Sequence, residues 1–180
     1  MVVTEIPASP PDPAGGTSPE HYTPRSTSRF SLVPASYVLL LRPGPSGDEV
    51  LLQLRQNTGF MDGHWAAGAA GHVEPGESAE DAARREAREE LGLESVELRF
   101  DLTLQRSLNP PGGERRLIDE RVDFFFSART WSGEPRITEP DKCADLRWWP
   151  LIALPEPVVP HERLVLGHLG TDTRFLTYGL

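Results

Sequence analysis

Cysteine is almost missing from this chain: Cys143 stands alone in 180 residues. One thiol makes no internal disulfide, so a cross-linked secreted scaffold is excluded and a reducing, cytoplasmic compartment is expected. No apolar run approaches the ~18 residues that a spanning helix needs, so no membrane partner is expected. The N-terminus lacks both a basic n-region and an apolar h-region, and no secretory signal is expected there. Positive charge is scarce as well. Lys and Arg number 18 against 27 Asp and Glu, a net charge of −9. A general nucleic-acid binder needs clustered cations to displace phosphate counterions, so no nucleic-acid partner is expected. A small phosphorylated substrate stays open, because bound divalent cations reverse the local field.

What is present divides the chain in two. Residues 1–29 carry six prolines among Ser, Thr and Gly, the composition of a disordered tail. Residues 30–180 are long enough for one domain with a sizeable core. Within them Ser36–Leu41 and Glu49–Arg55 read as strands joined by a GPSGD turn. After a polar loop, Gln56–Trp65, the expected order is a strand at Trp65–Ala69, a helix, and strands at Val96–Leu104 and Arg121–Ala128. A Pro-Gly loop holding Arg106, Arg115 and Arg116 separates those two strands. A final strand at Leu146–Trp149 and a helix at Val158–Leu169 follow. Runs of strands with two helices predict an α+β layered domain.

The most informative segment is Gly71–Leu93. Its latter part, Ser78–Leu91, has no Gly or Pro and is dominated by Ala, Glu, Arg and Leu, which predicts a helix of about 14 residues. Glu77 and Ser78 suit its N-terminus, and Gly92 a left-handed C-terminal position. At ~100° per residue, Ala79, Ala82, Ala83, Ala87 and Leu91 share one broad face, and Glu80, Asp81, Arg84, Arg85 and Arg88 the solvated one. Glu86 and Glu90 fall with the small residues, and Glu89 at their edge. Inward carboxylates stay ionised only if paired or bound to metal, and no lysine lies in the segment. Clustered hard oxygens suit Mg2+ or Mn2+.

The same segment, GHVEPGESAEDAARREAREELGL, fits G-x(5)-E-x(7)-R-E-U-x-E-E-x-G-U, with U apolar, at Gly71, Glu77, Arg85, Glu86, Ala87, Glu89, Glu90, Gly92 and Leu93. This is the Nudix box, and the chain resembles a Nudix hydrolase of the MutT-like branch. The one soft position is Ala87, where the family more often has a larger aliphatic residue. The resemblance implies an α/β/α sandwich with a mixed sheet. It also implies metal-dependent cleavage of the pyrophosphate linkage in a nucleoside diphosphate derivative, with a nucleoside triphosphate as first substrate. ADP-ribose, a dinucleoside polyphosphate and a nucleotide sugar stay open.

Carried over by position, Glu89 and Glu90 bind metal, Glu86 is a ligand or general base, and Arg85 orients a glutamate. Glu77 is a structural carboxylate, and Ala70 offers a backbone carbonyl. A further ligand from outside the box is assigned to Glu139, with Glu120 as its rival. For the substrate, Phe60 is a candidate stacking platform, Asn57 and Asp62 candidate readers of a base edge, and Arg55 a candidate phosphate contact. Trp148, Trp149 and Phe124–Phe126 are assigned to the core, and His161 and His168 to the surface. A homodimer is compatible with these features. Two other classes compete: a nucleotide sensor, which would have lost box glutamates, and an isopentenyl-diphosphate isomerase, which would need a catalytic cysteine near the strand before the box.

Overall fold

The computed structural model describes residues 30–108 and 116–180; the expected tail at 1–29 and Arg115 lie outside them. Eight strands form one sheet. They are β1 (Val33–Gly44), β2 (Gly47–Arg55), β3 (Trp65–Ala67), β4 (Ala69–His72), β5 (Ser95–Ser107), β6 (Glu120–Ser132), β7 (Cys143–Pro150) and β8 (Phe175–Tyr178). The order is β3-β2-β1-β6-β5-β8, with β4 added to β1 and β7 to β2. The β1–β6 and β5–β8 pairs are parallel and the others antiparallel, so the sheet is mixed. Helix α1 spans Ala79–Leu91, a short 3-10 turn spans Leu117–Asp119, and helix α2 spans Pro160–Leu166.

Period-two alternation on β1 and β2 explains the layers. Val38, Leu40 and Leu51 pack with Ala83, Ala87 and Leu91 of α1. Their sequence neighbours Tyr37, Leu39, Leu41, Val50 and Leu52 pack on the other face with Val165 and Leu166 of α2. Strands with both faces covered are apolar almost without interruption, as VLLL in β1 is. The small residues Ala82, Ala83 and Ala87 are fully buried, which lets α1 lie close to the sheet. The shortened Ala87 of the box is the residue at that contact.

β1 also sets where the site can form. Its second half pairs with β2 at Leu41–Gly44, and its first half with β4 at Ala35–Val38. The chain leaves β2, runs through the Gln56–His64 loop and returns as β3 and β4, so the sheet divides beside the start of α1. Ser78 caps α1 by accepting from the Asp81 amide, and Gly92 ends it at φ 67°, in the left-handed region that a Cβ disfavours. Ser36 Oγ donates to Ala79 O at 2.6 Å, fixing the helix start to β1.

Several expectations need correction. β5 runs on to Ser107, so Arg106 is a strand residue and 4 % exposed, not a loop cation. Leu146–Trp149 lies inside a longer β7 and is not the last strand; β8 follows it, a four-residue edge strand too short for its alternation to register. α2 stops at Leu166. His161 is 1 % exposed, against the surface position expected, and His168 is half-buried with Nδ1 2.8 Å from Leu164 O. Phe125 and Phe126 are core, as expected, and Trp149 packs edge-on against Trp65 at 5.2 Å.

Candidate active site

Ala70, Gly71, Arg85, Glu86, Glu89, Glu90 and Glu139 meet around one cavity of about 360 Å³, which Lys142 also lines. Four glutamates from two distant stretches of sequence therefore face one space, which Glu74 of the loop before α1 lines as well. Three of them come from one side of α1, because positions i, i+3 and i+4 lie on the same helical face. Glu139 arrives from the turn before β7, where its backbone carbonyl accepts from the Lys142 and Cys143 amides and its carboxylate pairs with Lys142 Nζ at 2.8 Å. Its rival Glu120 is buried at the start of β6 and does not line this cavity.

Gly71 explains why the box begins with glycine. A Cβ there would fall 1.9 Å from Glu86 Oε1 and 2.2 Å from its carboxyl carbon. The Glu86 carboxylate thus lies directly on the β4 backbone, in space that only a glycine leaves. Glu86 is itself 8 % exposed. Burial lifts its pKa above the ordinary carboxylate range, against the pull of Arg85. Glu90 accepts from the Ala70 amide at 3.0 Å and from Gln53 Nε2 at 3.3 Å, and burial beside Glu86 and Glu139 raises it to about 7. The group that Ala70 turns to Glu90 is its N–H.

Arg85 stands on the solvated face by periodicity, yet its long side chain folds back. Its Nε and Nη2 hold both oxygens of Glu77 at 3.0 and 3.1 Å, and Nη2 also donates to His72 O at 2.9 Å. Nη1 serves Glu86 at 2.6 Å and Glu89 at 3.2 Å. Glu77, foremost by its hydrogen bond, and Glu86 hold the guanidinium in its charged form. Among the described residues, no three His, Cys, Asp or Glu side chains are drawn tightly enough together to hold an ion in these rotamers. The donor set itself, the carboxylates of Glu86, Glu89, Glu90 and Glu139 with Glu90 raised to about 7 by burial first and by Glu86 and Glu139 second, fits a hard divalent cation.

A second, inner cavity of about 410 Å³ shares Ala70, Gly71 and His72 with the first. Of the residues expected to touch substrate, Arg55 and Phe60 line it, and Asn57 and Asp62 do not. Asn57 donates to Asp141 O at 3.0 Å, tying the loop to the segment that carries Glu139. Asp62 accepts from the Thr58 amide and hydroxyl and from the Gly59 amide, bonds that hold its pKa down. Arg55 lies over the Phe60 ring at 5.7 Å and donates to Phe60 O and Thr58 Oγ1.

Sequence reasoning missed the rest of this wall. Arg106 is paired with Asp123 at 2.5 Å, Arg121 Nη1 lies 2.8 Å from His72 Nε2, and Glu162 of α2 is 5 % exposed. Burial and the neighbouring Arg121 lower the His72 pKa, so the imidazole is the neutral acceptor of that contact. Burial raises Glu162 to about 7. The signal for Arg106 and Asp123 is that they fall in phase with the buried Leu102 and Leu104 on β5 and Phe125 on β6. For Glu162 no short-range signal exists.

Comparison with known proteins agrees with this geometry. Residues 32–169 match the NUDIX domain. The chain is 33 % identical over 138 residues to the NAD-capped RNA hydrolase NudC of Pseudomonas aeruginosa, covering 77 % of this chain but 42 % of that protein. It is 32 % identical over 122 residues to an isopentenyl-diphosphate Delta-isomerase of Jannaschia sp., covering 67 % of this chain and 65 % of the isomerase. The chain thus spans less than two thirds of either relative. Among solved structures, the MutT NUDIX hydrolase of Burkholderia pseudomallei superposes with a TM-score of 0.64 at 28 % identity, over 77 % of this chain and 98 % of that one. With the box residues gathered at one cavity on a mixed-sheet sandwich, and most of the chain matched, this protein belongs to the NUDIX family.

Proposed function

We propose that the chain is a metal-dependent hydrolase of the pyrophosphate linkage in a nucleoside diphosphate derivative, with a nucleoside triphosphate as first substrate. The observation that carries this reading is the meeting of Glu86, Glu89, Glu90 and Glu139 at one cavity that shares Ala70, Gly71 and His72 with a second. Phosphates belong at the glutamates and the nucleoside in the inner cavity.

Glu86, Glu89, Glu90 and Glu139 would hold Mg2+ or Mn2+, whose charge would offset that of the phosphate oxygens and make water more acidic there. Gly71 leaves the space that fixes the Glu86 carboxylate. Glu86, buried and raised, is placed to take a proton from the attacking water. Glu90 is fixed by the Ala70 amide and Gln53. Arg85 clamps Glu77 and bridges Glu86 to Glu89, which keeps the helix carboxylates from springing apart. Gln53 touches both Glu90 and the inner cavity, so it connects phosphate and nucleoside ends.

The named relatives suggest two other activities. Cleavage of a dinucleotide pyrophosphate, as the name NAD-capped RNA hydrolase implies for that protein, uses the same glutamates and is the second reading. The isomerase reading is less favoured. Cys143 is buried, its Sγ lies 3.2 Å from Asp145 O, and it lines neither cavity. A panel of nucleoside triphosphates, NAD, ADP-ribose and dinucleoside polyphosphates, assayed with Mg2+ and Mn2+ for phosphate, pyrophosphate and monophosphate release, tests the reading. Turnover of none of them would refute it.

A further inference from the structure

We propose that Glu162 reads the substrate: the inner cavity takes a nucleobase bearing an exocyclic amino group, and the Glu162 carboxylate accepts its N–H. The inference rests on the nucleotide reading above and adds the substrate class to it.

Glu162 lies in the first turn of α2, a helix seated by the segment before it. The Trp65 amide donates to Pro157 O and the Val159 amide to Trp65 O, both at 2.9 Å, so α2 enters directly beside β3. This places Glu162 in the inner cavity wall, where it is 5 % exposed. Its side chain makes one hydrogen bond among the described residues, from the Ala67 amide to Oε2 at 2.5 Å. An ionised carboxylate has about four acceptor sites. A buried acceptor with sites unfilled costs free energy unless a donor arrives, and Glu162 lines the cavity from which one can come. Burial raises its pKa to about 7, and the Ala67 amide, Arg55 and Arg106 pull the other way.

The lining of the cavity suits an aromatic ring: the small residues Ala35, Ala66 and Ala67 line it together with Phe60 and Tyr37, Tyr37 being stacked on Phe125 at 4.4 Å. A site built around an acceptor rejects an analogue that lacks the donor, because its own buried oxygen is then left unpaired.

Two nucleotide pairs isolate that donor: ATP against purine-riboside triphosphate, and GTP against ITP, the second member of each lacking only the exocyclic amino group. Kd values are measured by calorimetry on the full chain with Ca2+ in place of Mg2+, and turnover separately with Mg2+. The amino-bearing member of at least one pair should bind about 10- to 100-fold tighter. Glu162→Gln keeps an acceptor for Ala67 but turns an NH2 group to the ring, and should erase that preference; Glu162→Asp, which keeps the charge but shortens its reach, should narrow it. Equal affinity within both pairs, or a preference unchanged in Glu162→Gln, overturns the role of Glu162. Absent turnover with intact pair discrimination would instead refute the hydrolase reading and leave Glu162 as the reader.

Discussion

Replacing Gly71 by alanine adds one methyl group and should separate catalysis from folding. The new Cβ would sit 1.9 Å from Glu86 Oε1. An ordinary carbon–oxygen contact is about 3.3 Å, so one partner must retreat by about 1.4 Å. The β4 backbone is tied to β1 by its register at Ala35–Val38 and cannot yield cheaply. The Glu86 carboxylate, at the end of a flexible side chain, is what moves. A displacement of about 1 Å in a catalytic group costs on the order of 10²-fold in rate. Steady-state kinetics with Mg2+ on the best nucleotide should therefore show kcat for Gly71→Ala down by about 10²-fold or more. The melting temperature should fall by only a few degrees, about what 1 kcal/mol costs in a domain of this size. Wild-type kcat in the alanine variant would refute the reasoning, and so would a collapse of the fold, which would mean that the backbone had yielded.

Other perturbations follow from the same contacts. Glu90→Gln keeps an acceptor for the Ala70 amide and removes a desolvated charge, so it should cost about 10²-fold or more in turnover without loss of melting temperature; a variant that unfolds would show the carboxylate to be structural. Phe60→Ala should raise KM for a nucleoside triphosphate by about 5- to 30-fold with a smaller change in kcat, the equivalent of about 1–2 kcal/mol of lost ring contact; equal shifts for all four bases would show that Phe60 only pins its loop. Glu162 is raised from 4.5 to about 7 in the fold, so the protein loses stability as pH climbs through that interval. The stability of Glu162→Gln relative to wild type should accordingly grow by about 2–3 kcal/mol between pH 4.5 and 7.5, and a flat difference in denaturant midpoints would contradict it. A chain beginning at residue 30 should keep nearly full turnover, since the described residues lining the two cavities all fall between 35 and 162; a large loss of rate on truncation would count against that boundary.

The box helix was legible because its signals are local. Ser78, the alanine face and Gly92 each act within one or two turns, so cap, face and terminus follow from spacing alone. Glu139 was legible only through family resemblance, because nothing local in ITEPDKCADL marks a residue that folding brings to α1. The inner wall was hidden for a different reason. Arg106 and Asp123 compensate each other across β5 and β6, Gln53 faces Glu90 from β2, and Glu162 meets Ala67 across 95 residues of sequence. His161 reads as a polar surface residue on any hydrophobic pattern. It is buried beside Tyr37, Phe60 and Tyr178, where burial first and nearby arginines second depress its pKa to about 2 and keep it neutral. Polar residues in a core are legible only when their partners are known, and those partners are set by topology.

The central claim is that the cavity of Glu86, Glu89, Glu90 and Glu139 works through a divalent cation. Turnover of a nucleoside triphosphate should be measured on exhaustively chelated protein, then along a titration with Mg2+ or Mn2+. The account predicts no turnover above background in the chelated protein and a saturable return of rate with either ion, and a Glu90→Gln variant whose return is weak at every concentration. Full turnover by the chelated protein would contradict it.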